Sequence, residues 1–310
     1  MRALTLLVVL LTAAPVFARE GLGDSAFWRA WGDGKAELDG YALVRPRYGE
    51  LRTGTVVAVF VTEPWSLSAH VKADDVKAHP ASDVIQALKL NLVEDFQTGI
   101  YDYNLMTSAW TAIPAGTTPK VAFSSQEWCG TTYTDLVFEG ASAAETVRSY
   151  FDGETGMHTL ATPTGPALVE DSLLVWARDL AAPFSASTDA RVNVAFLPSL
   201  ARARLLHKPL AWTRATLTRS SASTSVDVPA GHFAVHRVHV DVAAVPGGEG
   251  ARTIDIDVED APPRRIIALR ASDGYALALT GTLRTAYWME HSEGDEKLLE
   301  QLGLHPPRSR

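Results

Sequence analysis

Cys129 is the chain's only cysteine, so no disulfide can form within its 310 residues. The fold must therefore rest on its core. There is no run of basic residues, and the formal net charge is −8. That balance argues against nucleic acid or an anionic membrane as the main partner. No apolar run reaches the roughly 20 residues that a membrane-spanning helix needs, so the chain is not read as an integral membrane protein. The familiar chemical motifs are missing too: no Walker loop, no G-x-G-x-x-G after a strand, no G-x-S-x-G elbow and no H-E-x-x-H. Accordingly no cofactor, no metal and no catalytic residue is assigned.

What is present belongs to a globular chain, with 46% hydrophobic and 21% charged residues. Residues 1–18 stand apart. Arg2 precedes an apolar run from Leu4 to Leu11, and Val16 and Ala18 occupy the positions that signal peptidase reads. This pattern predicts export, a periplasmic location and a mature chain from Arg19. No cysteine follows the run, so no lipid anchor is expected.

From Gly21 to Trp31 the apolar spacing is helical, with Asp24 or Ser25 as cap. Most of the remainder alternates at period two. Gly54–Thr62 is dense in β-branched residues and reads as a strand buried on both faces. Leu88, Leu90 and Leu92 suit a strand; Val84, Leu88 and Leu92 also suit a helix, and the strand is preferred. Strand signals continue through 105–112, 119–128 and 131–139, and resume at 191–197, 210–219, 235–242, 253–258, 264–269, 275–280 and 283–289. Between Ala167 and Ala181 a helical stripe, Leu168, Leu173, Leu174, Trp176, Ala177 and Leu180, leaves Glu170, Asp171, Arg178 and Asp179 outside. A short acidic helix near 295–302 and a Pro-rich tail close the chain.

Many short strands with few helices predict an all-β protein: large curved antiparallel sheets or an open barrel, with a few short helices. The helix at 166–182 either divides two β-rich halves, 19–165 and 183–310, or plugs one curved sheet in a continuous domain. A large sheet curls, and its concave face must be covered or filled. Any ligand is expected there.

The densest polar and aromatic cluster is Phe123–Tyr133, read as a hairpin tip. On a strand, Phe123, Ser125, Glu127 and Cys129 share one face, which turns from apolar to polar toward Gly130. Glu127 and Cys129 then stand about 6–7 Å apart, too far for direct activation of a thiol. No histidine lies in the segment, so Cys129 reads as a small buried thiol. Glu127 needs a partner or a polar cavity, and Lys89, Lys120 and Arg47 are candidate partners. Tyr101 and Tyr103 share a face with Asp102 opposite, a pair suited to lining a cavity or to cross-strand contact. The candidate ligand-binding set is therefore Glu127, Trp128, Cys129, Tyr101, Tyr103 and Lys89. His232 and His236 would lie about 13 Å apart on one strand face, with His239 opposite, so they do not form a zinc site. The slip in apolar phase between Val235 and Val238 predicts a β-bulge near His236.

Several blocks together resemble a known family. They are Phe27-Trp28, Gly34-Lys35-Ala36-Glu37-Leu38, Arg47-Tyr48-Gly49-Glu50, Val61-Thr62-Glu63-Pro64, Leu88-Lys89-Leu90-Asn91, Thr98-Gly99-Ile100-Tyr101 and Ser125–Gly130. They look like the signature of an uncharacterised exported bacterial family, across residues 27–135. Its members have carried the label "septum formation inhibitor Maf". True Maf proteins are cytoplasmic nucleotide pyrophosphatases with an N-terminal S-x-S-x-x-R motif, absent here, so the label is a misnomer. The second half is similar to periplasmic domains of unknown function with Val-Pro-Ala-Gly-x-Phe before a strand, here Val228–Phe233. That resemblance implies an open curved sheet of the lipoprotein-carrier kind and no reaction. The leading expectation is non-catalytic binding of an apolar or amphipathic envelope ligand, such as a lipid. The alternatives are a hydrolase or transferase using Glu127 or Cys129 with a histidine or tyrosine from another strand, and an envelope structural or interaction module.

Overall fold

The period-two segments form strands, and almost all of them pair with their neighbours in sequence. In the computed structural model, residues 22–181, 191–245 and 248–305 are described. The expected leader, Gly247 and the Pro-rich tail lie outside the described residues. A helix, α1 (Ser25–Trp31), precedes nine strands: β1 (Ala36–Arg47), β2 (Glu50–Ser66), β3 (Val71–Lys72), β4 (Val84–Thr98), β5 (Tyr101–Ile113), β6 (Lys120–Glu127), β7 (Gly130–Glu139), β8 (Ser142–Ser149) and β9 (Gly156–Ala161). Then come β10 (Ala167–Val169), α2 (Leu173–Ala177), β11 (Arg191–Leu197) and α3 (Leu200–Leu205). The chain continues as β12 (Thr213–Val228), β13 (Gly231–Val242), β14 (Arg252–Glu259), β15 (Ile266–Ala271) and β16 (Ala276–Thr285).

All sixteen strands belong to one sheet, ordered β10-β11-β12-β13-β14-β15-β16-β1-β2-β4-β5-β6-β7-β8-β9, with β3 on β2. The order ends at β10 and β9, so the sheet is not closed into a barrel. Among the described residues only the β10–β11 pair is parallel. β16 and β1 join the late and early strands, with Leu43 opposite Leu277 and Ala36 opposite Thr285. The fold is all-β, as the alternation predicts.

One apolar core holds α1, α2, α3 and strands from both ends of the chain. At the front, Asp24 caps α1 by accepting the Phe27 N–H at 2.7 Å, and Phe27 and Trp31 are buried. The helix expected over 167–181 is shorter than its stripe suggested. Its first residues pair as β10 with β11, a 3-10 turn follows at Glu170–Ser172, and only Leu173–Ala177 is α-helical. All five of its residues are buried, because this short helix lies inside the curl of the sheet rather than on its surface. The charges assigned to a wet face are instead turned toward partners: Arg178 is fully buried against Glu37, and Asp179 holds Arg219 and Arg264.

The opposite face carries a small second core of Ala36, Leu38, Val59, Val61 and Leu302, covered by the C-terminal 3-10 segment Asp295–Leu302. This close approach is why Gly40 and Gly281 face each other across β1 and β16. A Cβ on either would lie 2.1 Å from a backbone oxygen of Leu302 or Gln301. The irregularity expected near His236 is present. Arg219 pairs with Val238 and Ser223 with His236, so the extra residues lie on β12. The strand expected to reach Met289 stops at Thr285, where the chain turns into the 3-10 segment Tyr287–Met289.

Candidate functional site

Trp128 and Cys129 form the two-residue turn between β6 and β7, since Glu127 pairs with Gly130. The expected tip is therefore real, but Cys129 is exposed rather than buried. A side chain at a turn tip has no neighbouring strand to cover it, and the alternation that placed it beside Glu127 ends one pair earlier. A thiol reagent should accordingly titrate one thiol per chain rapidly without denaturant. Reaction only after unfolding would contradict this placement.

The Glu127 side chain is 2% exposed and meets Arg204 of α3 at 3.2 Å. Burial first, and the neighbouring Glu127 carboxylate second, push the Tyr103 phenol well above its ordinary range. Arg47 donates to the Tyr103 hydroxyl at 3.1 Å and to the Leu205 carbonyl at 2.6 Å, and Tyr48 lies 2.8 Å from Tyr103. Arg204 further donates to Thr132 at 3.0 Å and lies 4.0 Å from the Phe151 ring centre. This network ties α3 to the β1–β2, β4–β5 and β6–β7 tips. A wider cleft of about 400 Å³ beside α3 includes Arg204, Glu145, Glu154, His158 and His207. Its central groups pair with one another: His207 Nδ1 lies 2.6 Å from Glu154. Although burial opposes it, bonds from Ser149 and His207 hold the Glu154 carboxyl below its ordinary range.

The expected ligand position, the concave face, contains a different site. There α2, α3 and strands from the middle of the sheet (β14–β16, β1, β4 and β5) leave a chamber of about 90 Å³. Its apolar wall includes Leu90, Leu92, Leu173, Leu174, Leu269 and Leu277. Its polar groups are Arg45, Glu94, Asp171 and Arg252, with Glu170, Arg202 and Asp273 at the margin. Arg45 and Glu94 approach to 3.4 Å, with side chains 11% and 3% exposed. Arg45 Nε and Glu94 Oε2 are held only by that ion-pair contact, and Arg45 Nη2 has no hydrogen-bond partner. Buried polar atoms of that kind carry a desolvation cost until something satisfies them.

At the chamber, burial favours the neutral form of Glu94 and Asp171, whereas the Tyr275 N–H and Arg202 hold Asp273 low despite burial. Burial raises Glu94, against the pull of Arg45. Burial also pushes Asp171 up to about 8, helped by Glu170 and Glu94 and opposed by the Leu200 N–H. Asp171 retains some accessible surface because it borders the chamber, yet protein surrounds it. The chamber adjoins a vestibule of about 240 Å³ bordered by Arg45, Arg47, Tyr48, Leu205, Leu206 and Tyr275. Arg45, Arg202, Asp273 and Tyr275 border both spaces. Arg202 pairs with Asp273 and Glu249, and the Arg45 guanidinium lies 4.9 Å from the Tyr275 ring centre. These four side chains are the partition between chamber and vestibule.

The six residues singled out from sequence separate into three places. Glu127 and Tyr103 are buried together in the α3 network. Tyr101, Trp128 and Cys129 are at the tips, where Trp128 donates to Asp102 at 2.8 Å and lies 6.3 Å from Tyr101 between ring centres. Lys89 is elsewhere, on the other face of β4, bonded to Glu63 at 2.8 Å beside Trp110. None of the six lines the chamber or the vestibule. The chamber residue that sequence could have flagged is Glu94. It takes the next position on the face formed by Leu88, Leu90 and Leu92, where an apolar side chain belongs.

No protein-family model and no curated protein matches the chain. Among solved structures it is similar to a beta-barrel-like protein of the domain of unknown function DUF1849 from Brucella abortus. The two share 9% sequence identity with a TM-score of 0.45, over 80% of this chain and 96% of that chain.

Proposed function

We propose that this chain is an exported, non-catalytic binding protein for a compact amphipathic molecule. Its polar group sits at Arg45, and its short apolar part lies among the leucines of the chamber. The observation that carries this reading is an apolar wall beside a buried Arg45 whose Nη2 lacks a hydrogen-bond partner. With Nε facing Glu94, the guanidinium still offers its Nη2 N–H to a carboxylate or similar acidic group. Protonated Asp171 adds a donor, so an acid can be held without opposing charge from that carboxyl. Size limits the ligand: about 90 Å³ holds roughly three water molecules' worth of matter, so a full acyl chain does not fit. The larger, polar part occupies the vestibule. Export rests on the Arg2, Leu4–Leu11 and Val16–Ala18 pattern.

The reading does not use Glu127 or Cys129 as a reacting pair. Glu127 is engaged by Arg204 and Tyr103, and Cys129 projects from the turn. Native mass spectrometry of protein isolated from periplasm, followed by organic extraction, tests the proposal. The expected spectrum shows a chain starting at Arg19 with a small bound mass that the solvent releases. Leu269→Trp, which fills the chamber wall, should remove that mass. Bare protein in the wild-type spectrum, or an identical adduct on both proteins, overturns the proposal.

A further inference from the structure

The register of the sheet gathers its hairpin tips. Antiparallel pairing places the β1–β2, β4–β5, β6–β7 and β8–β9 turns at one end, with their intervening connections at the other. The tips touch: Trp128 reaches Asp102 and Tyr101, and a Cβ on Gly130 would run into the Tyr150 ring. The vestibule opens at this end as well, because its border includes Arg47, Tyr48 and Gly49 of the β1–β2 turn.

These tips are apolar and bare. Tyr48 is 57% exposed, Leu51 64%, Ile100 80%, Trp128 69% and Tyr150 67%, with Met157 at 73% just beyond the last turn. Away from this end, the most exposed apolar residues among those described are Met289 at 66%, Val71 at 50%, Val76 at 48% and Trp288 at 46%. Scattered exposed apolar residues are ordinary, but their concentration on one end is not. We infer that this end docks onto the surface of a zwitterionic lipid bilayer, with the tips inserted at headgroup depth. The inference stands without the chamber ligand, although it would place the vestibule mouth against the lipid.

Two observations select that occupant. Tips two strands apart stand about 10 Å from one another and meet only through side chains, so they form a single row of protruding points rather than a broad packed face. Fluid lipid closes around such points, whereas a protein partner needs a complementary packed patch of about 800 Å² per side. Tyrosine and tryptophan also suit the boundary between hydrocarbon and water, and Trp128 keeps its N–H satisfied by Asp102. Charge decides the lipid type. Arg47, Arg52 and Arg148 are balanced here by Glu50, Asp102, Asp152 and Glu154, and Arg52 is already paired with Glu50 at 2.8 Å. With no cationic surplus, attraction to anionic headgroups is not available.

Vesicle flotation of the mature chain tests this. Wild type should float with phosphatidylcholine vesicles, to the same extent at low and high salt. Ile100→Ser combined with Trp128→Ser should lower the floated fraction roughly tenfold, since partition follows buried apolar area. Both positions are exposed, so circular dichroism should show the fold unchanged. Met289→Ser and the chamber variant Leu269→Trp should float like wild type, which separates docking from ligand loading. Four results overturn the inference: no flotation of wild type, flotation that requires phosphatidylglycerol and disappears with salt, a tip variant that floats normally, or a wild-type dimer that the tip variant dissociates.

Discussion

Arg178→Met should lower the stability of the folded chain by about 3–5 kcal/mol, the cost of leaving a buried charge without its partner. Arg178 follows α2 directly, and its side chain is fully buried in the curl of the sheet. It meets Glu37 at 2.6 Å and donates to the Pro263 carbonyl at 3.0 Å. Its guanidinium also lies 4.4 Å from the Phe60 ring centre and 5.2 Å from that of Trp31. Methionine fills similar space, so the expected loss is electrostatic rather than a cavity. Glu37 would remain in the core, 2% exposed, with Arg265 already committed to Glu259.

The second carboxylate of that cluster behaves differently, and this makes the prediction sharper. Burial, with Glu37 adding to it, raises Asp39 to about 7, so near neutral pH it carries a proton for much of the time. Asp39 is therefore ionised only part of the time, and the direct ion pair of Arg178 is with Glu37. Arg178→Met combined with Glu37→Met should recover most of the loss, because an apolar pair of similar volume replaces a desolvated ion pair. Urea denaturation of the two variants measures the difference. A single variant within about 1 kcal/mol of wild type, or a double variant no better than the single, would remove the ion pair from the account.

The same cluster shows what a sequence can and cannot disclose. Alternation is a local property, so β2, β4–β7 and most of the later strands were legible from residues a few positions apart. Glu37, Asp39, Tyr41 and Leu43 share one buried face of β1, and half of that face is acidic. Such a row looks solvated until Arg178, far along the chain, is brought to it. Glu127 stood out because its strand face begins with Val121 and Phe123, yet its cation is Arg204, 77 residues on, and not Lys89, Lys120 or Arg47. Asp171 failed for another reason. A short helix with charged flanks reads as amphipathic, and only the curl of the sheet around α2 turns those flanks inward.

Those inward carboxyls should also displace the pH of greatest stability to the acid side of neutrality. In the folded chain Asp171 keeps its proton up to about pH 8 and Asp39 up to about pH 7, whereas both release it near pH 4 when unfolded. Between those limits the folded state binds more protons than the unfolded state. Stability must then fall as pH rises, and the loss is complete above the folded values. Glu94 and Glu145, raised by burial, act in the same direction. His239, held above its usual value by Asp255, adds to the fall, while buried His236 opposes it. On the acid side the sign reverses. Asp83, at about 2 through its bonds from Ser66 and Ser68, and Asp33, Glu154, Asp260 and Asp273, all held low despite burial, contribute stability above pH 4 that disappears as they protonate. The two limbs place the maximum at about pH 4–5, below the usual range of pH 5–8. Asp171→Asn keeps the amide neutral at every pH, so it should recover up to about 5 kcal/mol at pH 8 and leave the acid limb unchanged. Urea midpoints measured from pH 4 to 8 for both proteins decide the matter. A wild-type midpoint that rises over that interval, or an Asp171→Asn variant with an equal slope, would mean that Asp171 is ionised in the folded chain and that the chamber is an open, hydrated site.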